Sequence, residues 1–346
     1  LIFERLILKA VLFPQEVVIP AKAGVFINKA EKMKQTLLIF LTAILLAGCS
    51  TEKTNEVELV IDKQSDLGEG AIWNYKTSEL LWVDITGKIL NFYNPELEYN
   101  KEMFTGQKIG TVVPAESGLT MVALQNGIYQ FDPETGTKKL IVNPEEGIEG
   151  NRFNDGKCDP AGRFWAGTMN MNGKKEAGTL YRLDPDSTIH VMIENVSISN
   201  GIVWSPDATK MYYIDTPSQK VMAYDYDNAT GNISNPQTAV EVPSEMGAPD
   251  GMTIDAEGNI WVALWGGSAV GCWNPETGEL QRTIDVPAKN VTSCAFGDED
   301  LGTLYITTAR QGTSDEELEK YPHAGGVFKT RLGVKGMEAF FFKGEF

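Results

Sequence analysis

The chain has 346 residues, 42% of them hydrophobic and 22% charged, and its 47 acidic side chains against 30 basic ones give a formal charge of -17. This is the composition of a folded, acidic protein, and the lack of Lys and Arg arrays argues against a nucleic-acid partner. With only two histidines, His190 and His323, there is no HExxH helix, no His-rich zinc cluster and little material for a Ser-His-Asp triad.

The first feature along the chain is an address. Met33 and Lys34 precede an apolar run from Leu37 to Ala47, broken only by Thr42, and Gly48, Cys49 and Ser50 follow at once. A charged start, a short apolar stretch and small residues at its end make a secretory signal too short for a comfortable membrane span. The tail Leu46-Ala47-Gly48-Cys49 resembles a bacterial lipoprotein signal. The resemblance implies that Cys49 is lipidated and tethers the protein to a bacterial cell envelope, facing the periplasm or the exterior. The expected organisation is a non-native upstream extension (1–32), a signal peptide (33–48), a tether (49–56) and one folded domain (57–346). Removing residues 1–48 leaves 24 basic and 44 acidic side chains and deepens the charge to -20. Cys158, Cys272 and Cys294 remain, an odd set that reads as small buried residues rather than a disulfide framework.

The alternating run Val57-Glu58-Leu59-Val60 is predicted to pair with the end of the chain and close a ring. From there short strand-like runs recur about every 45 residues, the period of propeller blades. Six middle strands stand out: Leu80–Val83, Met121–Leu124, Arg163–Ala166, Met211–Ile214, Ile260–Ala263 and Leu304–Thr307. Reversals follow at Asn94-Pro95-Glu96, Asp132-Pro133-Glu134-Thr135-Gly136, Asp184-Pro185-Asp186 and Asn274-Pro275-Glu276-Thr277-Gly278. The expected fold is all-β, a six-bladed β-propeller, because one blade cannot bury both its faces and must stack on neighbours. Two β-sandwiches are the rival, and no linker interrupts the repeat to support them. Trp82, Trp165 and Trp261 fall in middle strands and read as core.

Aligned on its first strand, each unit brings one position into phase. It holds Glu69, Asn154, Asn200 and Asp250 in four units, and Ile109 and Thr292 in the other two. The start of a propeller's inner strand faces the axis, so four oxygen-bearing side chains converge at one mouth, with Ile109 on a dry side. Carboxylate and amide oxygens suit a hard cation such as Ca²⁺ better than a site built for zinc. The alternative is that these Asx-Gly and Glu-Gly pairs are simply turns. Lys157, in the same strand as Asn154, reads as structural. Trp265 is left near the channel without a definite place. Gly266-Gly267-Ser268-Ala269-Val270 lacks the last Gly of a nucleophile elbow, and Asp225–Thr230 lacks the third oxygen ligand and the Gly of an EF-hand loop and reads as a turn.

These residues carry a resemblance. Leu67-Gly68-Glu69-Gly70, Asn151-Arg152-Phe153-Asn154-Asp155-Gly156-Lys157, Asp159–Met169, Ser199-Asn200-Gly201, Pro249-Asp250-Gly251-Met252 and Ala324–Phe328 are similar, in this order, to the regucalcin/gluconolactonase family. The resemblance implies a propeller with one divalent cation on its axis, held by Glu69, Asn200 and Asp250, with Arg152 and Asn154 contacting substrate. The implied activity is hydrolysis of sugar lactones, with Ca²⁺ favoured and Zn²⁺, Mg²⁺ or Mn²⁺ open. Asp250 is the candidate catalytic base, and a role as ligand only is the alternative. Where many members carry an acidic residue shortly after Gly-Thr-Met, this chain reads Asn170-Met171-Asn172-Gly173. Two further readings share the same cation: an aryl esterase or phosphotriesterase, and a non-catalytic calcium- or ligand-binding propeller. A monomer touching the membrane only through its lipid completes the expectation.

Overall fold

A computed structural model describes residues 56–346; the extension, the signal, Cys49 and the tether lie outside the described residues. Six antiparallel sheets of four strands each account for the chain, and in five of them the strands follow in sequence order from inside to outside. The inner strands are Gly68–Asn74, Ile109–Pro114, Asn151–Cys158, Ser199–Trp204, Ala248–Ile254 and Asn290–Gly297, in blades 1 to 6. Nearly every residue in them is buried, whereas outer strands such as Leu280–Asp285 are largely exposed.

Blade 6 closes the ring as expected. Its outermost strand is Glu58–Ile61 from the start of the described chain, antiparallel to Val327–Arg331. Trp73 of blade 1 stacks on Tyr305 of blade 6 across the seam, with ring centroids 5.8 Å apart. Closure by strand exchange puts the first and last strands of the described chain into one sheet, so the ring cannot open without breaking a ladder.

The repeat has a local cause. Asp159 Oδ1 accepts the backbone N–H groups of Ala161 and Arg163, holding the turn between inner and middle strands, while Oδ2 accepts Trp165 Nε1 at 2.9 Å. Asp255 repeats the arrangement with Glu257, Asn259 and, at 3.0 Å, Trp261. The indole N–H is thus satisfied inside the sheet and the ring is free to pack between blades. Trp82, Trp165 and Trp261 are all core residues, and Cys158, Cys272 and Cys294 are buried free thiols. Burial holds all three thiols protonated, Cys272 and Cys294 at about 12.

Two features had no periodic signal. The helix Asp315–Lys320 buries no residue, so it has no apolar face to read; its mark is the Ser314–Glu317 capping box. The C-terminal tail runs under the ring, where Phe342 is fully buried and bonds through its backbone to Pro114 and Glu116. Its Met337–Phe340 segment covers the end of the axis where the inner strands finish, above a cavity of about 60 Å³. Lys157 lines that cavity and reaches from blade 3 to the Met252 carbonyl of blade 5, 2.8 Å away, which makes it a strut across the channel.

Candidate functional site

The predicted ring of polar side chains stands at the other end of the axis, and the local reason is a β-bulge. In every blade the register between inner and middle strand slips at the predicted position. Asn154-Asp155, Asn200-Gly201 and Asp250-Gly251 each oppose a single residue of the middle strand, and in blade 1 the slip follows Glu69 directly. A bulge re-aims the side chain it carries. The Asx-Gly pairs are therefore parts of strands, not turns between them. Their glycines admit the neighbouring blade: a Cβ on Gly251 would lie 2.6 Å from Ser293 Oγ, and one on Gly110 would lie 2.5 Å from the Phe153 carbonyl.

Glu69, Asn154, Asn200 and Asp250 are all buried, between 4% and 5% exposed. Asn154 donates through Nδ2 to the Ser199 carbonyl (2.7 Å) and to Asn200 Oδ1 (3.1 Å). Asn200 donates through Nδ2 to Thr216 Oγ1 (2.7 Å), and that hydroxyl donates onward to the Pro249 carbonyl (2.8 Å). Thr216 thereby fixes which way the Asn200 amide points, leaving Oδ1 toward the ring. Glu69 Oε2 accepts the Gly70 N–H at 3.0 Å. Thr292 completes the sixth blade by donating to the Gly68 carbonyl, and Ile109 is a fully buried apolar residue, the dry side expected.

One member of the site was not foreseen. Asp155 is 4% exposed; its Oδ1 accepts the Gly156 N–H at 2.7 Å, and its Oδ2 is enclosed without a hydrogen-bond partner. Arg152, 8% exposed, donates through Nη1 to the Phe153 carbonyl (2.9 Å) and to Asn154 Oδ1 (2.6 Å), beside the ring. The sequence signal for Asp155 was there: blade 3 reads Asn-Asp-Gly where blade 4 reads Asn-Gly.

The charges do not balance. Burial, then repulsion by Asp250 and Asp155, pushes the Glu69 carboxyl well above the usual range. Asp250 is likewise raised, by burial and by Asp155, with Glu69, Arg152 and Asn200 pulling the other way. Arg152 itself is drawn down to about 10 by burial, against the pull of Glu69 and Asp250. Three buried carboxyl groups share one guanidinium, and an uncompensated buried ion costs several kcal/mol. Among the described residues no three Asp, Glu, His or Cys side chains alone form a metal cage, so the set closes only when amide oxygens are counted. Oxygen-only donors, excess negative charge and an orphaned carboxylate oxygen fit a hard divalent cation.

Asn172 lies on an exposed loop, its backbone N–H bonded to Asn170 Oδ1 at 3.0 Å. Trp265 ends the middle strand of blade 5, half-buried, opposite Ala248 and so at the same mouth as Asp250.

Comparison with known proteins shows the family and the fold. The chain is 39% identical over 287 residues to YvrE of Bacillus subtilis, named provisionally as a sugar lactone lactonase, covering 83% of this chain and 98% of that one. Regucalcin of Danio rerio is 41% identical over 294 residues, covering 84% and 99%. A solved structure of a regucalcin from Agrobacterium tumefaciens, described as a calcium-binding protein, superposes with a TM-score of 0.80 at 26% identity, covering 84% and 98%. Residues 67–310 match the family described as SMP-30/Gluconolactonase/LRE-like region, and the chain belongs to that family.

Proposed function

We propose that the protein is a divalent-metal-dependent hydrolase of sugar lactones. The observation that carries this reading is the axial set itself: four oxygen-bearing side chains in phase, each in or next to a bulge, with three buried carboxyl groups against one guanidinium. Glu69, Asn200 and Asp250 would hold the cation, Ca²⁺ by preference, with the free Asp155 oxygen adding to the negative field around it. Once bound, a divalent cation acts as a Lewis acid toward a lactone carbonyl.

The remaining chemistry belongs to the side chains. Water adds to the carbonyl carbon and Asp250 takes its proton; the ring C–O bond then breaks and Asp250 returns that proton to the departing alkoxide, giving the open hydroxy acid. Asp250 suits that task by its place: it is buried on the axis and can hold the cation through one oxygen while the other meets the water. Arg152 presents its remaining N–H groups to hydroxyls of the substrate or to the product carboxylate, and Asn154 is held in place for the same contacts by Arg152 Nη1. The relatives named for lactonase activity and for calcium support the same reading.

The test uses residues 50–346, stripped with chelator and titrated with Ca²⁺, Zn²⁺, Mg²⁺ or Mn²⁺. One ion per chain and metal-dependent acid release from aldonolactones are expected. Turnover confined to aryl esters or phosphotriesters, or metal binding with no turnover at all, would replace the lactonase by one of the two other readings. We also propose that Cys49 carries the lipid and holds the enzyme at the cell envelope. Cys49→Ser should release the protein to the soluble fraction and abolish labelling with a fatty-acid analogue; unchanged partitioning refutes the anchor.

A further inference from the structure

One ammonium at the mouth has no anionic partner among the described residues. Lys108 immediately precedes Ile109, the apolar member of the ring, and its carbonyl accepts the Gln125 N–H at 2.8 Å, which holds its backbone at the mouth. Its side chain is half-buried and crosses from blade 2 to blade 3, where its polar contact is the thioether of Met171, with Nζ 3.5 Å from Sδ. A thioether is a weak acceptor and does not replace the water an ammonium loses on burial. The residues around it are anchored: Met171 donates its N–H to the Gly150 carbonyl at 2.7 Å, and Asn170 Nδ2 bonds Asn151 Oδ1 at 2.9 Å, beside Arg152.

The charges facing this corner leave it open to an anion. Met171 and the Asn172 that follows it are both neutral. On the facing loop Glu145 is turned into blade 3, accepting from Thr168 Oγ1 at 2.7 Å and from the Tyr181 hydroxyl at 3.3 Å. Glu146 and Glu149 are exposed to solvent, as are Lys174 and Lys175 beyond Asn172, so these four are screened and opposite in sign.

Resting on the lactonase reading, we propose that Lys108 forms a subsite for an anionic substituent on the lactone, a carboxylate or a phosphoryl group remote from the ring carbonyl. An ammonium pairs with such a group through charge-assisted hydrogen bonds, and partial burial strengthens them. Lys108 is then a specificity-determining residue of blade 2, the blade that gives no oxygen to the ring.

The experiment measures kcat/KM of residues 50–346 with Ca²⁺ on three lactones of one carbon skeleton: neutral, carboxylated and phosphorylated. The expected ratio of an anionic to the neutral substrate is at least about tenfold; it falls about tenfold through KM in Lys108→Met and returns in Lys108→Arg. Whichever anionic lactone carries the larger ratio identifies the substituent. A ratio near one in the unaltered protein, or equal losses on neutral and anionic lactones in Lys108→Met, overturns the subsite. If no lactone is turned over, the lactonase reading is what fails. Calorimetric titration with an aldaric acid against the alditol of the same length then decides the subsite: tighter binding of the acid that is lost in Lys108→Met keeps it, and equal binding overturns it.

Discussion

Glu69→Gln should make the metal-free protein more stable while destroying its response to metal. The substitution keeps the side chain's shape and its acceptor for the Gly70 N–H, and removes one of the charges that burial and Asp250 oppose. Glu69 and Asp250 both have raised folded-state values, so the folded protein holds their protons more tightly than the unfolded chain. Their contribution is complete below the unfolded values near pH 4 and is lost as pH rises through the folded ones. Without metal, the unaltered protein is therefore destabilised on going from pH 4.5 to 7.5, and Glu69→Gln less so. Each unit of relieved shift is worth about 1.4 kcal/mol, which for a domain of this size moves Tm by roughly 2–3 °C. Saturating Ca²⁺ at about 100 times its Kd adds about 2.7 kcal/mol to the unaltered protein and nothing comparable to the variant. Thermal melts at pH 4.5, 6.0 and 7.5, in chelator and in Ca²⁺, give both numbers. A variant less stable than the parent in chelator at pH 7.5, or a Ca²⁺ response surviving the substitution, would refute the charge argument.

Other expectations follow from the same contacts. Thr216→Val frees the Asn200 amide to rotate and should weaken Ca²⁺ binding about tenfold by calorimetry, with little change in Tm; unchanged affinity would remove Thr216 from the account. Arg152→Ala should lower lactone turnover yet tighten the cation, since the positive charge it removes opposes binding; looser binding would show that Arg152 instead shapes the ligand set. Asp159→Ala strands Trp165 Nε1 and the Arg163 guanidinium in the core and should cost about 3 kcal/mol in a denaturant titration, while a loss under about 1 kcal/mol would contradict the role given to the repeat. Deleting residues 50–62 removes the strand that closes blade 6 and should lower Tm by more than about 5 °C; an unchanged Tm would defeat closure.

The ring of Glu69, Asn154, Asn200 and Asp250 was legible because a repeat turns a three-dimensional coincidence into a count: equal spacing along the chain becomes equal height on the axis. What escaped depends on contacts between blades or breaks the count. Asp155 sits beside the counted Asn154, and a bulge that shows two side chains to the axis is not visible as a period. Thr216 acts on Asn200 across a loop, and the buried state of Arg152 arises from neighbours far away in sequence. The tail from Met337 to Phe342 carries no strand pattern, and only the open end of the ring explains why it is apolar.

The central claim is that this axial cluster hydrolyses lactones only with its cation in place and Asp250 as base. Acid release from an aldonolactone, followed in a pH-stat, tests it most directly on the chelator-stripped protein, on the same protein with one equivalent of Ca²⁺, and on Asp250→Asn with excess Ca²⁺. The account predicts turnover in the second sample alone. Turnover without metal, or turnover by Asp250→Asn near the parent rate, would contradict it.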